Sequence, residues 1–198
     1  MKQVELLEEK LLEYNYFDLY QIQDTVISNK VWNNGKQRET LKKVIQSSDT
    51  SLKSKFLAAT VLLEFDNKID TVFYKNLSNV YSYALRHTSE KFDNSMQLNG
   101  NLWGFLYEED DLGELGKQYV SFGNEAIPSL MKLLEDTDNK IFYDGSEGAT
   151  IGNSYQYRIK DFAAFYISKI KNIPMTFYQD FDKRDAEIER LQELLENE

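Results

Sequence analysis

A chain of 198 residues with 41% hydrophobic and 14% aromatic residues can bury one continuous core, which excludes disorder and makes a single domain the expected organisation. A formal charge of -10 works against nucleic acid as the partner, because such binding draws most of its affinity from lysine and arginine. With no cysteine there is no disulfide framework, thiol nucleophile or Cys-ligated metal site.

The opening segment "MKQVELLEEKLLEY" carries acids where a signal peptide needs an uninterrupted apolar stretch, so the expected setting is the cytoplasm. Val4, Leu7, Leu11 and Tyr14 recur at spacings of three and four and predict a helix. A second, aromatic-rich segment from Phe17 to Ile27 is expected to pack back on it. In "NKVWNNGK" the asparagines and glycine predict a turn, with Trp32 closing the core beside it. The stretch "RETLKKVIQSSDTSLKSKFLAATVLLEF" predicts two antiparallel helices. Leu41, Val44 and Ile45 face inward from the first and Leu52, Phe56, Ala59 and Leu63 from the second, with turn and cap supplied by Ser48, Asp49, Thr50 and Ser51. Its run "FLAATVLL" is the longest apolar stretch and falls far short of a bilayer, so no membrane association is expected. A long helix through "IDTVFYKNLSNVYSYALRH" is expected to bury Val72, Leu77, Val80, Tyr81 and Leu85.

From 88 to 100 the periodicity lapses into a loop between two halves of the molecule, with a short helix expected around "LWGFLY". Glu108, Glu109, Asp110 and Asp111 lack the alternating spacing of a calcium loop and are assigned to solvation and helix capping. "LGELGKQYVSFG" predicts a helix closed by Gly123, and "NEAIPSLMKLLEDTD" another with Pro128 in its first turn. A polar insertion at 138–154 precedes a helix expected to start at Tyr155 and to bury Ile159, Phe162, Ala163, Tyr166, Ile167 and Ile170. The last helix is expected to be capped by Asp182, with Asp185 three residues on and Ile188, Leu191 and Leu195 as its stripe.

The blocks at 38–65 and 124–171 follow one plan: a leucine-rich helix, an aspartate turn, then a helix with paired alanines, Ala58 and Ala59 or Ala163 and Ala164. Leu41, Asp49, Leu62, Pro128, Leu130, Leu134, Asp138 and Ile167 fall in matching places, and the plan resembles the HEAT family of helical repeats. Lys55 and Lys160 stand near the position at which that family commonly has arginine. The resemblance implies an all-α fold of antiparallel helical hairpins stacked in a short solenoid or right-handed α-α superhelix, a scaffold used mostly to bind other proteins.

The insertion "DGSEGATIGNSYQYR" has neither glycine order that cradles a phosphate. Asp144, Glu147, Tyr157, Arg158 and Asp161 are its candidate functional residues. Arg158 and Asp161 are three apart on one helix face, and Glu147 can reach back to Arg158, which predicts an ion-pair clasp. Two other readings stay open: a ligand- or partner-binding edge, and a hydrolytic site built from Asp144, Glu147 and Asp161. His87, the single histidine, excludes a multi-histidine metal centre, and no metal or cofactor is expected. The leading functional expectation is a non-enzymatic protein that binds a protein with a basic surface, a bacterial version being an immunity or inhibitor protein that occludes a toxin. Nucleic-acid processing would need a basic groove from scattered residues such as Lys42, Lys43, Lys53, Lys55 and Lys160.

Overall fold

Apolar spacings of three and four produce helices here: the described residues form α-helices and short 3-10 turns with no β-strand, and only two isolated antiparallel bridges, Ser89 with Ile141 and Lys140 with Arg158. The structure is a computed structural model that describes residues 2–20, 26–89, 96–105, 111–137 and 140–197. It divides into two compact units, Met1–Ala84 with Ser95–Gln97, and Leu85–Asn94 with Leu98–Glu198.

Unit 1 holds α1 (Lys2–Leu12), α2 (Tyr16–Tyr20), α3 (Val26–Trp32), α4 (Arg38–Gln46), α5 (Leu52–Phe65) and α6 (Tyr74–Arg86), the last two residues of α6 falling in unit 2. Its centre is α5, whose residues from Phe56 to Leu62 are all buried and against which α1, α2, α3 and α4 pack. The α4–α5 turn satisfies its own backbone ends. The Thr50 hydroxyl donates to the Val44 carbonyl at 2.6 Å, and Ser51 caps α5 by accepting from the Ser54 N–H at 3.1 Å. Glu8 of α1 accepts from the Ser51 N–H at 2.7 Å and the Ser54 hydroxyl at 2.9 Å, tying a third helix to that turn. At the end of α3, Asn33, Asn34 and Gly35 have φ of 51, 52 and 82°, a left-handed run that suits asparagine and glycine, and Trp32 stacks on Phe65 at 5.8 Å.

Two expectations for this unit change. The single segment from Phe17 to Ile27 is instead α2 and α3, with residues 21–25 outside the described set. Val72, expected in the core, is 77% exposed: Asp70 accepts from the Val72 N–H and starts a 3-10 turn over Thr71–Phe73, and that tighter winding turns Phe73 inward in its place.

Unit 2 contains a 3-10 turn at Gly100–Leu102, α7 (Gly113–Ser121), a 3-10 turn at Gly123–Ala126, α8 (Ile127–Leu133), α9 (Ser146–Tyr155), α10 (Ile159–Lys171) and α11 (Phe181–Glu196). All ten residues from Ile159 to Ser168 are buried, and α7, α8 and α11 pack around them. Two close backbone approaches lock α7 in place. A Cβ on Gly104, whose φ is +117°, would lie 2.2 Å from the Asp111 carbonyl oxygen; one on Gly116 would lie 2.5 Å from that of Trp103. The buried polar atoms there are paired: Trp103 Nε1 donates to Thr88 at 3.0 Å, Tyr166 Oη to the Trp103 carbonyl at 2.6 Å, and Tyr143 Oη to the Gly104 carbonyl at 3.1 Å.

The polar insertion is not a loop throughout. Residues 138 and 139 lie outside the described set, but Ser146–Tyr155 is helical despite its glycines, with Gly152 pressed against the Tyr143 ring so closely that a Cβ would come to 2.7 Å. Gln156, left-handed at φ +49°, then breaks the chain, so the helix expected from Tyr155 begins at Ile159. The cap of α11 is Asp180 rather than Asp182, because its Oδ1 accepts from the Lys183 N–H at 3.0 Å. Glu108, Glu109 and Asp110 are outside the described residues, whereas Asp111 accepts from the Gly113 N–H at 2.9 Å.

Candidate functional site

Arg158 stands at the N-cap of α10, where free backbone N–H groups favour a carboxylate. Asp161, one turn in, meets that demand: its Oδ2 accepts from the Arg158 N–H at 2.8 Å and from Nε at 3.1 Å, and its Oδ1 accepts from Nη2 at 2.8 Å. This fork geometry is the strong form of the Arg–carboxylate pair. A second arginine completes it. Arg184 of α11 donates from Nη1 to Asp161 Oδ2 at 2.6 Å, and both Asp161 and Arg184 are 0% exposed.

The remaining Arg184 donors bind backbone. Nε donates to the Tyr178 carbonyl at 2.7 Å, and Nη2 to those of Tyr155 at 2.8 Å and Gln179 at 3.2 Å. One guanidinium therefore joins the end of α9, the segment before α11, and the start of α10. Its faces are covered by Tyr157 and Phe181, whose ring centroids lie 5.1 and 5.2 Å from Cζ. Tyr157 is itself buried, stacked on Phe105 at 4.4 Å and on Tyr155 at 5.1 Å.

Asp185 forms the outer layer. Arg158 Nη2 donates to its Oδ1 at 2.6 Å, and Lys160 Nζ pairs with the same oxygen at 2.8 Å. Partial burial disfavours the Asp185 carboxylate, but the bonds from Arg158 and Lys160 outweigh it and hold the carboxyl below its usual range. Burial likewise disfavours the Arg158 cation, and the Asp161 and Asp185 carboxylates more than offset that, raising its pKa.

The structure brings together Tyr157, Arg158 and Asp161 of the sequence-predicted group. Asp144 stands apart and exposed, its Oδ1 accepting from the Gly145 N–H at 2.7 Å and its backbone paired to Asn101. The Glu147 side chain lies outside the described residues. Sequence reasoning missed Arg184, Asp185 and Phe181. A signal for the first existed: Arg184, Ile188 and Leu191 follow the four-and-three spacing of a buried stripe, and a charge on such a stripe requires a buried partner. Chemically the arrangement clamps. Asp161, with both oxygens held by guanidinium groups and no exposed surface, is not placed to take a proton from a substrate.

The outside of unit 2 differs from this interior. On α11, Asp182, Ala186, Glu189, Glu193 and Glu196 are all exposed and recur at spacings of four and three, one continuous face. Phe181 and Leu194, 38 and 43% exposed, flank it. Unit 2 as a whole has 12 Lys and Arg against 22 Asp and Glu, the entire formal -10 of the chain, whereas unit 1 has 11 of each. Among the described residues no group of three His, Asp or Glu side chains could hold a metal ion, and no helix is long and apolar enough to cross a membrane. No protein-family model matches the chain, and neither does any curated protein or solved structure.

Proposed function

We propose that the chain is a non-enzymatic binding protein that engages a protein with a basic surface through the outer face of α11. The observation that carries this reading is the segregation of the charge: all of the net -10 belongs to unit 2, and carboxylates line the exposed face of α11 while Arg158, Lys160 and Arg184 are drawn inward to Asp161 and Asp185. An acidic face with apolar residues at its edge steers a basic partner and then gives it something to bury. The clamp serves this reading by fixing α11 at its N-terminal end, so little ordering is left to be done on binding. The hairpin of α4 and α5, the packing of α8 on α10 and the full burial of both alanine pairs support an architecture of the HEAT type beneath it.

Capture from the native host tests the reading. The full chain at low ionic strength is expected to retain a basic protein in stoichiometric amount and to release it at about 1 M salt, where charges are screened within roughly 3 Å. A variant with Asp182→Asn, Glu189→Gln, Glu193→Gln and Glu196→Gln, melting as the parent does, is expected to lose that protein. Equal retention by both forms, or no stoichiometric partner for either, refutes the assignment.

A further inference from the structure

Unit 1 has a feature that the acidic surface of unit 2 does not explain. A groove of about 280 Å³ in unit 2 has one charged lining residue, Lys169, among Phe165, Met175 and Phe177, whereas one of about 260 Å³ in unit 1 gathers several. Its charged lining residues are three lysines, Lys10 of α1, Lys30 of α3 and Lys36 of the turn before α4, and no carboxylate lines it. The open apolar side chain of its lining is Leu6, 57% exposed, while Leu7 and Val31 belong to the core, and Asn33 and Gln37 add amides. Among the described residues none of the three lysines is paired with a carboxylate; Lys10 Nζ has one long bond, 3.4 Å, to the Lys30 carbonyl. Elsewhere in the unit, Arg38 is paired with Asp66 at 2.7 Å and with Glu39 at 3.0 Å, and Lys42 with Glu39 at 3.9 Å.

The convergence is made by the backbone. Asn33, Asn34 and Gly35, all left-handed, reverse the chain directly after α3, and this turn places Lys36 and Asn33 on the same groove as Lys30. Left-handed backbone is costly for residues other than glycine, least so for asparagine, and it persists only where its surroundings hold it. Holding three ammonium groups about one concavity in a unit with no net charge costs mutual repulsion, which an anion relieves.

We infer that this groove is a binding site for a small organic phosphate: lysine ammonium groups act as point donors to a multiply charged head, and the exposed Leu6 side chain receives a small apolar body. This goes beyond the α11 reading and does not depend on it. The head can be a free phosphate ion or the phosphoryl group of an organic molecule, and three probes distinguish these sources: inorganic phosphate, phenyl phosphate and benzyl alcohol, each titrated into the full chain and followed by backbone amide NMR. Phenyl phosphate is expected to saturate shifts at Lys10, Lys30 and Lys36, to bind about tenfold more tightly than inorganic phosphate (~1.4 kcal/mol), and to weaken as salt is added. Benzyl alcohol is expected to leave those amides unmoved. Lys36→Gln, at an exposed position where folding is not at risk, is expected to weaken phenyl phosphate about tenfold, and Lys10→Gln with Lys30→Gln to abolish saturation. Inorganic phosphate binding as tightly as phenyl phosphate overturns the apolar part and leaves a simple phosphate site. No saturable shift with either phosphate, or affinity indifferent to Lys36→Gln, overturns the site altogether.

Discussion

The two units solve the same problem, how to finish helices inside a packed core, by different means. At its α4–α5 turn unit 1 uses hydroxyls: Thr50 and Ser51 close the turn with neutral donors and acceptors, and the Glu8 carboxylate reaches in from a part-buried position. Unit 2 uses ions, with Asp161 and Arg184 wholly buried and Arg158 and Lys160 nearly so. Neutral bonds contribute modestly and tolerate loss, whereas a buried ion without its partner keeps the full cost of leaving water. Unit 1 is therefore expected to be graded in its response to substitution and unit 2 abrupt. The units also carry one tryptophan each, Trp32 in unit 1 and Trp103 in unit 2, so W103F and W32F variants let each be followed separately.

The largest effect is expected at Arg184. Arg184→Met strands Asp161 opposite Arg158 alone and frees three backbone carbonyls, and is expected to cost about 3–5 kcal/mol in urea unfolding followed at Trp103. In a double-mutant cycle with Asp161→Asn, the pair should lose much less than the sum of the singles. A cost below about 1 kcal/mol, the range of exposed pairs, would place unit 2 in the same regime as unit 1. Thr50→Val is the matching change in unit 1, keeping the shape and removing the bond to the Val44 carbonyl. Its expected cost is about 1 kcal/mol, read at Trp32; a loss as large as that at Arg184 would erase the contrast.

The smallest effect concerns acid. Asp185 has its carboxyl held below the ordinary value of 3.8 in the folded chain, so between the folded and ordinary values the unfolded chain binds the additional proton. The Asp185 contribution is thus fully present above the ordinary pKa and is lost as pH falls through the folded one. On acidification, Asp185→Asn is expected to flatten the stability loss reported by Trp103 below about pH 4 and to leave the Trp32 signal unaltered. An identical acid limb in parent and variant would show that Asp185 is not linked to folding of unit 2.

Legibility in the sequence follows the same division. The stripe of α4 stands out because apolar spacing decides which face turns inward, and Leu41 and Val44 are buried. In α5 and α10 spacing picks out Phe56, Phe162 and Ile167, which are buried, but not that Phe56–Leu62 and Ile159–Ser168 are buried on every side. Local rules also found the Arg158 and Asp161 pair, since three residues on one helix are neighbours whatever surrounds them. What escaped is set by distant contacts. Ser146–Tyr155 has the composition of a loop, but it is helical with Gly152 against Tyr143, nine residues earlier. Arg184 lies 23 residues from Asp161, beyond any local spacing rule, and its position on a buried stripe gave the only hint. Asp182 and Asp180 are both sound caps by residue type, and the one whose side chain reaches the N–H three residues on, Asp180, is fixed by the turn before it.

The unbroken burial of Ile159–Ser168 has a consequence for how unit 2 can be observed. A helix with one wet face lets its amides exchange with solvent by fraying or by small local openings, but α10 has no such face over ten residues. Its hydrogens can be replaced by deuterium only when the elements around it separate. The slowest-exchanging amides of that stretch are therefore expected to share one opening free energy, equal to that of unfolding the unit, and to move together when Arg184 is replaced. A few deuterium uptake curves from α10 thus serve as a thermometer for the whole of unit 2.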